Sequence, residues 1–147
     1  MRRIAKFFAL AQSDRALVLS ALAPLIVMRA AMWTLAFARV KRIADAMSRP
    51  MRVDATAGQP SPERIAWAVA NVSRIVPRSH NCLIRALATG IVLKRYGYPS
   101  ELKIGVMKPV GGRFAAHAWL ESGGNVVIGN FQLDQYAPLT APDSVAR

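Results

Sequence analysis

The stretch Ser-His-Asn-Cys-Leu-Ile-Arg-Ala-Leu at residues 79–87 decides how the chain is interpreted, because it holds Cys82, the only cysteine among 147 residues. Asn81 is a suitable N-cap, and the apolar residues after it predict a helix from Cys82 to Arg95 that stops at Gly97. The amino end of a helix favours the thiolate, which is the nucleophilic form of cysteine. The alternative is a small buried apolar side chain, since free cysteine is among the most buried residue types.

A histidine lies among the predicted strands that follow this helix. Alternating side chains predict antiparallel strands over residues 102–108, 113–122 and 125–130, separated by glycine-containing turns. His117 falls on the second strand, 35 residues after Cys82. A cysteine at a helix start and a histidine on a later strand predict a thiolate–imidazole pair, while a structural strand histidine remains the alternative.

The turn Gly123-Gly124 predicts which side chain lies beside the histidine. A two-residue hairpin loop there, continued without a break, places His117 opposite Asn130 on the same face of the sheet. The Asn130 carboxamide would then accept the imidazole N–H and fix its tautomer, as in a Cys-His-Asn set. Asp134 lies beyond the strand and is the alternative orienting residue, since an acid is the stronger partner.

Two other polar residues near the cysteine are expected to have structural roles. His80 is too close to Cys82 along the chain to approach the sulfur as a base, so we expect it to shape the loop. Arg85 lies one helical turn after Cys82, and we expect a structural salt bridge with Glu121, the substrate being its alternative partner.

The amino-terminal part of the chain is both basic and apolar. The net charge is +12, and residues 1–53 hold ten of the 20 Arg and Lys residues against two acids. This pattern predicts helices over residues 1–48 that bury against a protein partner or a membrane surface. The apolar run 16–28 is short against the roughly 20 residues of a membrane span, so a true span is disfavoured. The sequence has no nucleic-acid-binding motif, and nucleic acid is not an expected partner.

Helices followed by strands predict an α+β fold. The first apolar helix is expected to be capped by Ser13, to bend near Pro24 and to run to about residue 38, with a second helix over residues 38–48. We expect an apolar basic helical region at 1–49, a linker at 50–61 and a core at 62–147, its first helix capped by Ser61.

The small number of cysteine and histidine residues also limits the kinds of site that the chain can form. One cysteine cannot form an internal disulfide, which is typical of a cytoplasmic protein. One cysteine and two histidines without a nearby acidic cluster fall short of a zinc site, and no glycine-rich phosphate loop is present. We therefore expect no metal and no cofactor.

Three motifs taken together resemble the stand-alone transglutaminase-like peptidases of lasso-peptide biosynthesis. They are Cys-Leu-Ile-Arg-Ala-Leu at 82–87, His-Ala-Trp-Leu-Glu at 117–121 and Gly-Asn-Val-Val-Ile-Gly at 124–129. The resemblance implies a transglutaminase/papain-like core with Cys82 as nucleophile and His117 as base. The family usually has an Asp as the third residue, where this chain offers Asn130.

The resemblance also implies a function, which is removal of the leader from a ribosomally made lasso-peptide precursor through a thioester. The partners implied are that precursor, a separate leader-recognition protein and an asparagine-synthetase-like cyclase, which is the member that uses ATP. Two other functions stay open. One is acyl transfer to an amine by the same residues, and the other is a non-catalytic basic adaptor in which Cys82 is buried.

Overall fold

The computed structural model describes residues 10–50, 58–107 and 115–139. The helices in these ranges are α1 (Gln12–Thr34), α2 (Phe37–Met47), α3 (Pro62–Ser73) and α4 (Cys82–Arg95). The strands are β1 (Glu101–Met107), β2 (Ala115–Ser122), β3 (Asn125–Ile128) and β4 (Tyr136–Pro138), with a 3-10 turn at Leu133–Gln135. The strands form one antiparallel sheet in the order β3-β2-β1-β4, which confirms the predicted α+β class.

The helix starts nearest the predicted site follow from their capping residues. The Ser61 hydroxyl accepts the backbone N–H of Arg64 at 3.2 Å, and the Asn81 side chain accepts that of Leu83 at 2.9 Å. Each cap satisfies an N–H group that has no partner within its helix. The predicted bounds of α4 and the predicted start of α3 are therefore confirmed, and Cys82 is the first residue of its helix.

The first helix differs from its prediction at both ends. It begins after Ala11 instead of Ser13, and the exposed start leaves its free N–H groups to water. It ends at Thr34 because Leu35 has an extended backbone, which separates α1 from α2. Pro24 lies inside the helix and is buried.

One hydrophobic core joins α1, α3, α4 and the sheet. It contains Leu25 and Met28 of α1, Ile65 and Val69 of α3, Ile91 and Leu93 of α4, and Leu120 of β2, all almost fully buried. Burial of this apolar surface is the main favourable term for folding.

The predicted division of the chain into a helical region that ends at residue 49 and a core that begins at residue 62 stays a prediction. Residues 1–9, 51–57 of the proposed linker, and 108–114 with their predicted turn lie outside the described residues.

By length and composition alone, α1 is long and apolar enough to cross a membrane, with a mean hydropathy of 1.8 over an 18-residue window. One third of that window (33%) is buried inside the protein. The outward side exposes apolar side chains, among them Leu19 (58%), Ile26 (47%) and Trp33 (87%). A peripheral membrane contact through residues 1–48 therefore stays a prediction.

The hairpin between β2 and β3 contains a bulge. Ser122 pairs with Asn125 and Glu121 with Val126, as predicted, but Leu120 then pairs with Ile128. A bulge places one extra residue on one strand and shifts the pairing beyond it. The prediction that His117 lies opposite Asn130 is therefore wrong. The pairing shifts between Glu121 and Leu120, before it reaches His117, and β3 ends at Ile128.

Candidate active site

A cavity of about 210 Å³ lies at the start of α4, with Cys82 and His117 both in its wall. The remaining lining residues are Arg85 and the segment Ile128, Gly129, Asn130 and Phe131 that follows β3. Cys82 is half-buried and packs against the hydrophobic core, so the residue lies between the core and the cavity. The fold thus brings the two residues singled out from the sequence to one cavity.

A backbone carbonyl holds the imidazole of His117. The Nε2 atom lies 2.7 Å from the carbonyl oxygen of Gly129. Because a carbonyl only accepts hydrogen bonds, Nε2 must carry the hydrogen and donate it. In the neutral ring this leaves Nδ1 as the proton acceptor, which is the state that a general base requires. No hydrogen bond joins Cys82 to His117 among the described residues, and in enzymes such bonds often form only when substrate binds.

Two aromatic rings restrict the same imidazole. The ring centroid of His117 lies 6.3 Å from that of Trp119 and 5.2 Å from that of Tyr136 on β4. Gly105 is opposite His117 on β1, and a Cβ there would lie 2.9 Å from atoms of both Trp119 and Tyr136. A glycine at this position therefore makes the close packing of the aromatic side chains possible. The Trp119 indole is fixed in turn because it donates to Glu121 at 3.0 Å.

A family model described as the Transglutaminase-like superfamily matches residues 24–141. This chain belongs to that superfamily. No curated protein and no solved structure matched the chain significantly. Members of the superfamily are generally cysteine peptidases or transferases, which supports an activity of the cysteine peptidase or acyltransferase type. The matched range begins within α1 and includes every residue of the cavity.

The two candidate orienting residues occupy different places in this transglutaminase-like fold. Asn130 lies in the cavity wall, next to the carbonyl that holds His117. Asp134 is exposed on the 3-10 turn and is not part of the wall. The position beside the imidazole is therefore taken by the backbone of Gly129. A role of Asn130 or Asp134 in orienting His117 stays a prediction.

Other polar residues near the site are placed as follows. His80 is exposed in the loop before α4, outside the cavity wall. Within the described ranges, no three His, Cys, Asp or Glu side chains group as metal ligands would. Arg85 lines the cavity, and the expected salt bridge with Glu121 is not among the ion pairs of the described residues. The structure instead pairs the Glu121 carboxylate with the Trp119 indole.

We expect Gly129→Ala to destabilise the fold and to disturb the cavity. Gly129 has a φ of +85°, and a Cβ there would lie 2.8 Å from the carbonyl oxygen of Ala118. The left-handed backbone and the contact together are expected to lower the free energy of unfolding by about 2–4 kcal/mol, measured by urea denaturation. Gly123→Ala is a matched control, because Gly123 has a φ of +58° but no atom within 4 Å of the added Cβ. Equal losses in the two variants would contradict the close packing at Gly129.

Proposed function

We propose that this chain is a cysteine peptidase that removes the leader from a ribosomally synthesised lasso-peptide precursor. The observation that carries the proposal is the placement of Cys82 and His117 in one cavity wall, with Nε2 of the imidazole held so that Nδ1 can accept a proton. The membership in the transglutaminase-like superfamily supports the chemistry. The lasso-peptide substrate is supported by the motifs at 82–87, 117–121 and 124–129.

The first half of the reaction acylates the enzyme. Nδ1 of His117 takes the thiol proton of Cys82, and Sγ forms a bond with the carbonyl carbon of the last leader residue. The resulting oxyanion is stabilised by backbone N–H groups at the start of α4. The backbone N–H of Leu83 already donates to the Asn81 side chain, and we therefore assign this role to the backbone N–H of Cys82. The carbon–nitrogen bond then breaks, and His117 gives its proton to the departing amine of the core peptide.

The second half releases the leader. His117 takes a proton from a water molecule, and the water oxygen attacks the thioester carbon. The carbon–sulfur bond breaks, and the leader leaves with a new carboxyl group. The proton on His117 returns to the sulfur, which restores the Cys82 thiol. In this scheme Cys82 and His117 carry out the bond-forming and proton-transfer steps.

The proposal includes the partners and the location that the motifs imply. A separate leader-recognition protein presents the precursor, and an asparagine-synthetase-like cyclase uses ATP to close the macrolactam on the released core. The reaction is cytoplasmic in this scheme, and the exposed apolar side of α1, with Trp33 87% exposed, is available for a partner or a membrane surface.

Mass spectrometry of a candidate precursor, incubated with this protein and the leader-recognition protein in water enriched in heavy oxygen, tests the proposal. We expect two fragments whose masses add up to the precursor plus one water, with the heavy oxygen in the new leader carboxyl group. A product that carries an added amine and no heavy oxygen would identify acyl transfer. An intact precursor despite confirmed binding would contradict a peptidase and favour the adaptor.

The orienting residue can be tested in the same assay. We expect Asn130→Ala to lower kcat/KM about three- to tenfold, the range for one hydrogen bond, because the carbonyl of Gly129 still holds the ring. Asp134→Ala is expected to change kcat/KM less than about twofold, since Asp134 is exposed and outside the cavity wall. A larger loss for Asp134→Ala than for Asn130→Ala would assign the role to Asp134 instead.

A further inference from the structure

The cavity contains a positive charge that the catalytic steps do not use. Arg85 lies in its wall together with Cys82, one helical turn further along α4. The ion pairs among the described residues are Asp14–Arg64, Asp45–Lys94 and Glu101–Lys103, so Arg85 has no carboxylate partner in that part of the chain. Its Nε atom is fully buried and has no hydrogen-bond acceptor there. The terminal nitrogens of the guanidinium are not among the buried atoms and make no hydrogen bond with the described residues, so these are the donors that a bound acceptor can reach.

The surroundings of Arg85 are unfavourable to a cation. Burial lowers the pKa of the Arg85 guanidinium, and the positive charge of Arg74 lowers this pKa further. The Cys82 sulfur acts in the opposite direction, because its negative form attracts the guanidinium. Since arginine keeps its proton in proteins, the cavity holds a cation that the described residues do not neutralise. The guanidinium presents its donors as a planar fork that matches a carboxylate.

We propose that the Arg85 guanidinium forms a carboxylate-binding subsite next to the nucleophile, so that this enzyme prefers peptides with a carboxylate close to the bond it cleaves. The carboxylate is either an Asp or Glu side chain or a terminal α-carboxylate of the peptide. This inference rests on the proposed peptidase function, since it names the substrate group that the same cavity binds. The cavity of about 210 Å³ is large enough for a small acidic group.

Alkylation of Cys82 tests the subsite without any precursor. Iodoacetate and iodoacetamide both react by attack of the thiolate on carbon, which forms a carbon–sulfur bond while iodide leaves with the electron pair. They differ in charge, and Cys82 is the only cysteine, so mass spectrometry of the whole protein reports one site. The ratio of the iodoacetate rate to the iodoacetamide rate is divided by the same ratio for N-acetylcysteine. We expect this normalised ratio to be greater than one in the wild type. Arg85→Gln is expected to lower the ratio about tenfold, which corresponds to one charge-assisted hydrogen bond.

Two further variants distinguish a local contact with Arg85 from an effect of the protein's overall positive charge. Lys94→Gln removes one positive charge from the other end of the same helix, 43% exposed, and is expected to leave the ratio unchanged. Arg85→Lys keeps the charge and is expected to retain part of the preference. It provides a second variant at the same position if Arg85→Gln does not fold. A ratio that falls equally in Lys94→Gln and Arg85→Gln, or in neither, would overturn the subsite.

Short peptides distinguish the two sources of the carboxylate. Acetyl-Ala-Glu-Ala-amide carries only a side-chain carboxylate, and acetyl-Ala-Gln-Ala carries only a terminal one. We expect one of them to slow the alkylation of wild-type Cys82 by iodoacetamide more than uncharged acetyl-Ala-Gln-Ala-amide, and to lose this effect with Arg85→Gln. Equal effects of all three peptides would overturn the proposal. Neither this test nor the rate ratio depends on precursor cleavage, so failure of the subsite and failure of the peptidase function are distinguishable.

Discussion

Cys82→Ala is expected to lower precursor cleavage at least about ten thousandfold, because without the sulfur no thioester can form. The half-buried side chain contributes little to the core, so we expect the free energy of unfolding to fall by no more than about 1–2 kcal/mol. Cleavage is measured by mass spectrometry of the released leader under single-turnover conditions.

Lys94→Ala is the matched control for this variant. Lys94 lies on the same helix, is exposed at its other end and is outside the cavity wall. We expect this variant to cleave at close to the wild-type rate. If Cys82→Ala also cleaved at that rate, the assignment of the nucleophile would be wrong.

His117→Gln is expected to lower kcat/KM about a thousandfold, within the range found for loss of a general acid and base. The glutamine amide can still donate to the carbonyl of Gly129, as Nε2 of the imidazole does, but it cannot take the thiol proton of Cys82. The variant therefore removes proton transfer while it keeps a donor at this position. The alkylation of Cys82 by iodoacetamide near neutral pH is expected to slow as well.

His80→Gln controls for the loss of a histidine near the cysteine. His80 lies two residues before Cys82 and is exposed, outside the cavity wall. We expect this variant to retain the wild-type kcat/KM and the wild-type alkylation rate. Equal losses in the two glutamine variants would contradict the assignment of His117 as the base.

The parts of the fold that local chemistry decides were predictable from the sequence. Ser61 and Asn81 begin their helices because their side chains accept backbone N–H groups within the next three residues. The position of Cys82 at the start of α4 follows directly from the cap at Asn81. His117 was placed on its strand by the alternation of side chains, which also needs no knowledge of distant residues.

The error in the pairing of His117 arose where one extra residue in a strand changes the geometry of a distant contact. The bulge opposite Leu120 and Glu121 shifts the pairing of β3, and nothing in the local pattern of that hairpin requires it. Side-chain motifs could not identify the partner of His117, because the partner is the backbone carbonyl of Gly129. The signal that was present is Gly129 itself, whose φ of +85° turns the chain at the end of β3.

The role of Tyr136 and the lack of a carboxylate partner for Arg85 among the described residues could not be predicted, for a related reason. The strand that carries Tyr136 has three residues and ends in Pro138, so it is too short for an alternating pattern to be visible. Arg85 was expected to pair with Glu121, with the substrate as its alternative partner, and the sequence does not show that the Trp119 indole donates to the Glu121 carboxylate. The contacts of both residues became visible only when the sheet and α4 were placed together.

The central claim is that Cys82 carries the acyl group of the leader during cleavage. The most direct measurement is the mass of the intact protein, quenched in acid at short times after mixing with precursor and the leader-recognition protein, followed by mapping of the modified peptide. The proposed mechanism predicts a mass increase equal to the leader minus one water, located on Cys82 and absent from Cys82→Ala. An acyl group on any other residue, or cleavage by Cys82→Ala at the wild-type rate, would contradict it.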